Sequence, residues 1–536
     1  MTRYAYTTFP TTPPPELSGG GPARRPVVVV GAGPVGLALA IDLALHGIPV
    51  VVLDDNDRVS VGSRAICWSK RTLEIFDRLG VGRRMVEKGV TWQVGRLFHR
   101  DREVYAFDLL PEPGHRMPAF VNLQQYYVEE YLAERAGDFP DLVDLRWKNR
   151  VTGLTQRPDG VRLAVETPFG AYDLEADWVV ACDGVRSTVR RALGLDFAGE
   201  AFEERFLIAD VEMKAPFPSE RWFWFEPPFH AGQSALLHKQ PDDIWRIDLQ
   251  LGPDADPEEE KRPEKVIPRI RAMVGERPFE LDWVSVYTFQ CRRLERFVHG
   301  HVVFAGDSAH IVSPFGARGG NGGIQDADNL AWKLARVVRG EAGPGLIDTY
   351  DEERLRAADE NLTNSARSTH FMTPKSEAER TFRAAVLRLA ASEPFARRFV
   401  NSGRLSLPAS LAGLSLQSPA EDDAGVAPGQ VAPDAPVTSP DGTKGFLLDR
   451  LGGDFCWLAV GAVAVPAVRE RLVRVGPGGL GDPEGLVARR WGDGLLYLIR
   501  PDQHVAARLA NPTAAAMAAA LARAGGSLAA SDERAA

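Results

Sequence analysis

The chain predicts an α/β fold in which a strand–turn–helix unit is interrupted by an antiparallel sheet and followed by a smaller α/β module. Three glycine-and-acid signatures in a fixed order carry this expectation: GAGPVG at Gly31 to Gly36, ACDG at Ala181 to Gly184 and AGDSAH at Ala305 to His310. The first follows the apolar run Val27 to Val30 and opens the apolar stretch Leu37 to Leu45, so a buried strand turns sharply into a helix. The second and third close the stretches Asp177 to Cys182 and His301 to Phe304.

The first turn has the residues of a dinucleotide site. Glycine permits the tight turn and close backbone approach to a pyrophosphate, while the helix N-terminus offers unpaired amides and a positive dipole. A second strand, Pro49 to Leu53, ends in Asp54, 23 residues after Gly31, where a carboxylate can accept hydrogen bonds from ribose hydroxyls.

Periodicity places the remaining elements. Leu73, Phe76 and Leu79 recur at helical spacing and predict a helix over Ser69 to Leu79, after which alternating stretches from Val94 to Leu109 leave the nucleotide unit. A helix over Gln124 to Arg135 returns to it, and a hairpin over Val161 to Leu174 turns at Pro168-Phe169-Gly170. From Phe206 to Phe289 aromatic and polar residues alternate, which predicts an antiparallel sheet flanked by a helix at Pro263 to Val274. A helix is expected over Gly323 to Val338, with further helices to about Arg404. The Gly-, Pro- and Asp-rich stretch Ala420 to Gly442 leads into a last module, with strands at Cys456 to Val465, Leu486 to Arg490 and Leu495 to Ile499 and a helix at Thr513 to Ala524.

Composition narrows the class. At 536 residues, 44% hydrophobic and 25% charged, the chain has room for two or three domains of ordinary globular make-up. A net charge of -9 and the lack of a Lys/Arg run argue against nucleic acid as a partner. The four cysteines, Cys67, Cys182, Cys291 and Cys456, are scattered without a CxxC, so neither a disulfide framework nor a metal site is expected. No signal-like core or membrane-length apolar run is present, and a cytoplasmic protein is expected.

The ordered set GAGPVG, DWVVACDGVRSTVRRALG and FAGDSAHIVSPFGARGGNGGIQDADNLAWKL resembles the single-component flavin-dependent aromatic hydroxylases, the family of 4-hydroxybenzoate hydroxylase. The segment YLIRPDQHVAAR at Tyr497 to Arg508 is similar to the C-terminal module of the phenol hydroxylase and 3-(3-hydroxyphenyl)propionate hydroxylase branch. The resemblance implies a Rossmann-like FAD-binding domain, an inserted β-sheet substrate domain and a thioredoxin-like C-terminal domain. The implied boundaries are a flexible arm over 1–26, FAD-binding parts at about 27–90, 116–200 and 296–404, and a substrate sheet at about 91–115 and 201–295. A linker over 405–427, the C-terminal domain over 428–525 and a disordered tail over 526–536 complete the division.

The same resemblance implies roles. Gly31, Gly33 and Gly36 approach the FAD pyrophosphate, Asp54 holds the ribose, and Arg64 lies near the cofactor phosphates. Gln125, with Gln124 as the neighbouring alternative, touches the cofactor. Asp183, followed by Gly184 and Arg186, serves FAD and the nicotinamide donor, and Asp307 holds ribityl hydroxyls. Gly319, Gly320 and Asn321, within the run Gly316 to Gly323, offer amides to the pyrimidine edge of the flavin. Pro314 stands beside the ring, with Ser313 replacing a proline common before it, and His310 is read as structural. In the implied reaction, NADH or NADPH reduces FAD and O2 then gives a flavin hydroperoxide that hydroxylates ortho or para to a phenol hydroxyl. Such chemistry needs a dry pocket and a group that accepts the phenol proton. Candidate walls are Trp222, Trp224, Trp245 and Phe289, and candidate polar contacts are His238, Arg246 and Tyr287. A homodimer is the implied assembly. Two rivals remain: a halogenase of the same fold, suggested by WFWFEP at Trp222 to Pro227, and a flavin-binding sensor without turnover.

Overall fold

The computed structural model describes residues 4–19, 23–62, 64–400, 405, 407–420 and 424–526, and the side chains of Glu203 and Phe289 lie outside the description. Its first sheet has eight strands, and the strand Arg24–Val30 stands at the centre. Four consecutive valines, Val27 to Val30, are buried there, as a parallel strand covered on both faces requires. Gly170–Ala181 and Val50–Leu53 pair parallel on either side of it, and Val302–Phe304 pairs parallel with Gly170–Ala181. In that register Leu53, Val30, Ala181 and Phe304 lie side by side. The three signatures and Asp54 therefore leave the sheet at one common edge, the carboxyl ends of its strands, where open α/β sheets bind ligands.

The second sheet also has eight strands and is antiparallel apart from the pairing of Arg221–Phe225 with Val94–His99. Its central strands are Glu280–Arg293, Ala198–Glu212, Ile244–Leu251 and Ser234–Lys239. Side chains alternate between the faces of a strand, and each face has its own partner. Leu207, Ala209, Trp245, Ile247 and Leu237 pack with Val266, Ile270 and Val274 of the helix Pro263–Val274. Phe206, Ile208, Leu236, His238, Arg246 and Asp248 face the other way, towards the first sheet.

The C-terminal module carries a four-stranded sheet ordered Arg471–Val475, Cys456–Val460, Leu495–Ile499, Val505–Leu509. The strand expected at Leu486 to Arg490 is instead the helix Leu486–Trp491, which buries Leu486, Val487 and Trp491 between Gly485 and Gly492, both at positive φ. The strand expected to reach Val465 stops at Val460. The long helix begins at Gly319, four residues before the expected start, because Asn321 anchors its glycine-rich first turn: Oδ1 accepts from the Ser69 N–H at 2.9 Å and Nδ2 donates to the Cys67 carbonyl at 2.8 Å.

The N-terminal segment expected to be a flexible arm is packed where it is described. Tyr4 stacks on Tyr126 with ring centroids 4.2 Å apart, Phe9 stacks on Trp147 at 4.6 Å, and Glu16 pairs with Arg146 at 2.8 Å. Its aromatics and Glu16 find partners more than a hundred residues away, a relation that local composition does not reveal. In the stretch expected to be a linker, Leu411 and Leu416 are buried. The tail expected to be disordered lies, from residue 527, outside the described residues. No described helix is long and apolar enough to cross a membrane.

Candidate active site

A cavity of about 1270 Å³ runs between the strand ends of the first sheet and the inner face of the second. It exceeds the roughly 300–1,000 Å³ of an ordinary single-ligand pocket, so it has room for a second ligand beside a first. Gly31, Gly33, Asp54, Arg64, Gln125, Asp183, Asp307, Pro314, Gly319, Gly320 and Asn321 all line it, as do His238 and Arg246.

The first turn is held open by its glycines. Gly31 has φ +106°, and a Cβ there would meet the Cys182 carbonyl oxygen at 2.5 Å. Gly36 lies behind the cavity wall, where a Cβ would come within 2.0 Å of the Gly31 oxygen, so its role is the close packing of helix on strand. Gly33 caps the helix Pro34–Leu45 and has nothing within 4 Å of a Cβ position, leaving bare backbone towards the cavity. Asp54 accepts from the Ala32 N–H at 2.7 Å and the Asn56 N–H at 2.8 Å. Burial pushes its carboxyl up, and these N–H donors oppose the shift.

Gln125 is a strut of the wall. Its Oε1 accepts from the Ala65 N–H at 3.0 Å and its Nε2 donates to Glu129 at 2.8 Å, which fixes the chain just after Arg64. Asp183 accepts from the Thr188 N–H at 2.7 Å through Oδ2, while its buried Oδ1 has no partner. Asp307 turns its side chain into the cavity, and burial of the site raises its pKa, with His310 and Arg64 opposing. His310 is not part of the lining; its Nε2 lies 2.7 Å from Asp326.

These residues fit FAD. The orphaned Asp183 Oδ1 and the cavity-facing Asp307 are free to accept from ligand hydroxyls, the bare Gly33 turn and its helix N-terminus suit phosphates, and the Gly319 to Asn321 helix start has amides and a positive dipole that would suit the electron-rich edge of the ring.

The substrate side differs from expectation. Trp222, Trp224 and Trp245 belong to the opposite face of the inserted sheet, where Trp224 packs on Phe98 and Phe229 with centroids 5.1 and 5.6 Å away. Tyr287 is not among the lining residues, and the Phe289 side chain lies outside the description. Arg246 reaches the cavity but is committed, its guanidinium bidentate on Asp210 at 2.8 and 2.9 Å and donating to the Arg64 carbonyl at 2.9 Å. The residues that sequence reasoning missed are Phe206, Phe315, Arg221, Asp248 and Cys67, all lining the cavity. Phe206 and Phe315 meet edge to face at 5.0 Å and form its aromatic wall. The available signal was alternation: once His238 and Arg246 are taken as inward, Asp248 and Leu236 must be inward and Trp245 outward.

Comparison with known proteins agrees with the geometry. The FAD binding domain family matches residues 24–365. A 3-(3-hydroxy-phenyl)propionate/3-hydroxycinnamic acid hydroxylase of Mycolicibacterium gilvum is 32% identical over 379 residues, 70% of this chain and 65% of that protein. A 12-dehydrotetracycline 5-monooxygenase/anhydrotetracycline 6-monooxygenase of Streptomyces rimosus is 30% identical over 507 residues, 90% of this chain and 95% of that protein. The crystal structure of aklavinone-11 hydroxylase with FAD and aklavinone superposes with a TM-score of 0.76 at 26% identity, covering 93% of this chain and 98% of that one. Fold and site thus define a flavoprotein monooxygenase. The chain belongs to the FAD binding domain family, and within it to the flavin-dependent aromatic hydroxylases.

Proposed function

We propose that the protein uses NADH or NADPH and O2 to hydroxylate a phenolic aromatic ring ortho or para to its hydroxyl. The observation that carries this reading is the meeting, inside one cavity, of the glycine-rich helix start at Gly319 to Asn321 with the polar inner face of the inserted sheet. FAD, when bound, supplies the redox chemistry that activates O2. The chain's part is to bind, orient and exclude water. Phe206 and Phe315 offer an apolar wall to an aromatic ring, which keeps the reacting atoms dry. Gly33, Asp54, Asp183 and Asp307 line the cavity and would hold the cofactor's phosphate and sugar portions, and Pro314 would stand beside its ring. The relatives' names, a hydroxyphenylpropionate hydroxylase and an anhydrotetracycline monooxygenase, support an aromatic substrate that bears a hydroxyl. A homodimer is the assembly we expect of the holoprotein, and light scattering tests it.

The experiment is NADH and NADPH oxidation by the FAD-loaded protein over a panel of phenols, phenolic acids and fused-ring phenols, with hydrogen peroxide assayed in parallel. Stimulated oxidation with little peroxide is the expected result. A flavin-loaded protein stimulated by no aromatic overturns the reading, and product formation that requires chloride revives the halogenase.

A further inference from the structure

One line of polar residues crosses the inner face of the inserted sheet. His238 opposes Arg246 and Arg246 opposes Asp210 across neighbouring strands, and the pairing of Trp222 with Leu237 continues to put Arg221 opposite His238. In the next row Asp248 lies between Leu236 and Ile208. Diagonal neighbours on such a face are roughly 7–8 Å apart, within reach of long side chains.

Three members of this set are already satisfied or neutral. Arg246 and Asp210 neutralise each other through their bidentate pair. His238 is held well below the usual histidine range by burial, with the Arg221 and Arg246 charges adding, so it is neutral. Its ring Nδ1 lies 3.9 Å from the Cys67 sulfur, and burial pushes that thiol up to about 11. The other two are unsatisfied. Arg221 lines the cavity, deep enough for desolvation to lower its pKa, and no hydrogen bond or ion pair joins its guanidinium to a described residue. Asp248 also lines the cavity, and its buried Oδ1 has no partner.

A half-buried donor array and a buried acceptor oxygen, unpaired with each other, face the same space. Leaving the buried Asp248 oxygen unmet is costly, and one ligand group meets both. A phenolic hydroxyl donates its proton to a carboxylate and, as the bond breaks, becomes an anionic acceptor for a guanidinium. A ligand carboxylate satisfies Arg221 alone and sets a second negative charge against Asp248.

We propose that Asp248 takes the proton of the substrate's phenolic hydroxyl and Arg221 holds the resulting phenolate oxygen, an assignment that rests on the reading of the protein as a phenol hydroxylase. In this step the phenol O–H bond breaks, its electron pair stays on oxygen, and the proton forms an O–H bond with Asp248 Oδ1. No electrons are exchanged with FAD. The phenolate is richer in electrons at its ortho and para carbons, where oxygen is to be added. The charged and titratable groups facing Asp248 are Arg246, Asp210, Arg221, His238 and Cys67. Burial raises Asp248 to about 6, with Asp210 adding and Arg246 and Arg221 opposing. It is therefore a competent acceptor above that pH and protonated below it, and a base poised near the working pH is the effective one.

The test uses the FAD-loaded holoenzyme and 4-nitrophenol, whose anion absorbs at longer wavelength than its neutral form. The wild type is expected to bind the probe with its apparent pKa below the free value. Arg221→Gln removes the cation that holds the anion and is expected to raise that bound pKa by about one unit, a tenfold change, whereas Asp248→Asn removes a neighbouring negative charge and is expected to lower it. The Asp248→Asn variant also loses the acid limb of kcat/KM near pH 6 and about 10²-fold or more of the rate, whereas Asp248→Glu recovers the limb. Flavin absorbance and melting temperature report whether each variant is folded and loaded, and Arg221→Gln gives an independent reading should Asp248→Asn lose FAD. Probe ionisation identical in all loaded proteins overturns this assignment and leaves the proposed function standing. A wild type that binds no nitrophenol and is stimulated by no phenol overturns both.

Discussion

His310 Nε2 lies 2.7 Å from Oδ2 of Asp326, and the other oxygen of that carboxylate takes a 2.6 Å bond from the Arg354 guanidinium. The Gly306 N–H donates to the same Asp326 at 3.0 Å, so the AGDSAH turn is tied to the following helix from both its ends. Replacing Asp326 by alanine strands a buried arginine and a backbone N–H, and a loss of about 3–5 kcal/mol is expected, read by chemical denaturation together with release of FAD. His310→Gln should lower the melting temperature and leave kcat within about threefold of wild type, far less than the 10²-fold or greater loss of an acid–base residue. A large fall in kcat with unchanged stability would return His310 to the chemistry.

The glycines of the first turn make a paired prediction. Gly36→Ala drives a Cβ to 2.0 Å from the Gly31 carbonyl oxygen and should prevent soluble folded protein. Gly33→Ala meets no protein atom within 4 Å, so the chain should fold with near-normal melting while FAD affinity drops. Flavin content and circular dichroism separate the two; full FAD affinity in Gly33→Ala would place the pyrophosphate elsewhere.

The C-terminal module should clamp the flavin domain. Arg500 pairs with Glu353 and Asp502 at 2.5 Å each, Lys333 reaches Glu353 at 2.7 Å, and Arg71 donates to the Asp502 carbonyl at 2.8 Å. Burial pushes Glu353 up, but the Arg500 and Lys333 charges outweigh it and hold the carboxyl below the usual range. Its contribution to stability is therefore complete above about pH 4.3, the ordinary glutamate value, and is lost as the pH falls further towards the folded-state pKa. Urea midpoints between pH 3 and 6 should show that loss in the wild type. Glu353→Gln should be less stable at pH 6 and flatter below about pH 4.3; an unchanged slope would remove Glu353 from the network.

Trp224 and Phe206 separate the two faces of the inserted sheet. Trp224→Ala should cost about 2–3 kcal/mol, less than a fully buried tryptophan, with unaltered KM and peroxide yield. Phe206→Ala should raise KM and the peroxide released per NAD(P)H consumed, because it opens the aromatic wall against Phe315. The reverse pattern would mean that Trp224, and not Phe206, walls the substrate.

What could be read from sequence was local. A valine run, a glycine turn and a helix are neighbours in the chain, so GAGPVG, ACDG and AGDSAH announced the strand ends, and Asp54, Asp183 and Asp307 came with them. The helix Pro263–Val274 was legible for the same reason, its Val266, Ile270 and Val274 recurring at helical spacing. Residues 486–491 misled because a short run with two adjacent apolar residues suits a strand or a helix, and Gly485 and Gly492 at positive φ decide for the helix.

The sequence by itself determined the class of fold, the cofactor and the turns that line its cavity, since turn chemistry acts over a few residues. Tertiary structure alone decided which face of the inserted sheet meets the cofactor, because strand alternation defines two faces and only packing against the helix Pro263–Val274 assigns one of them to the core. That choice sent Trp224 and Trp245 away from the cavity, committed Arg246 to Asp210, and left Arg221 and Asp248 unpaired within it.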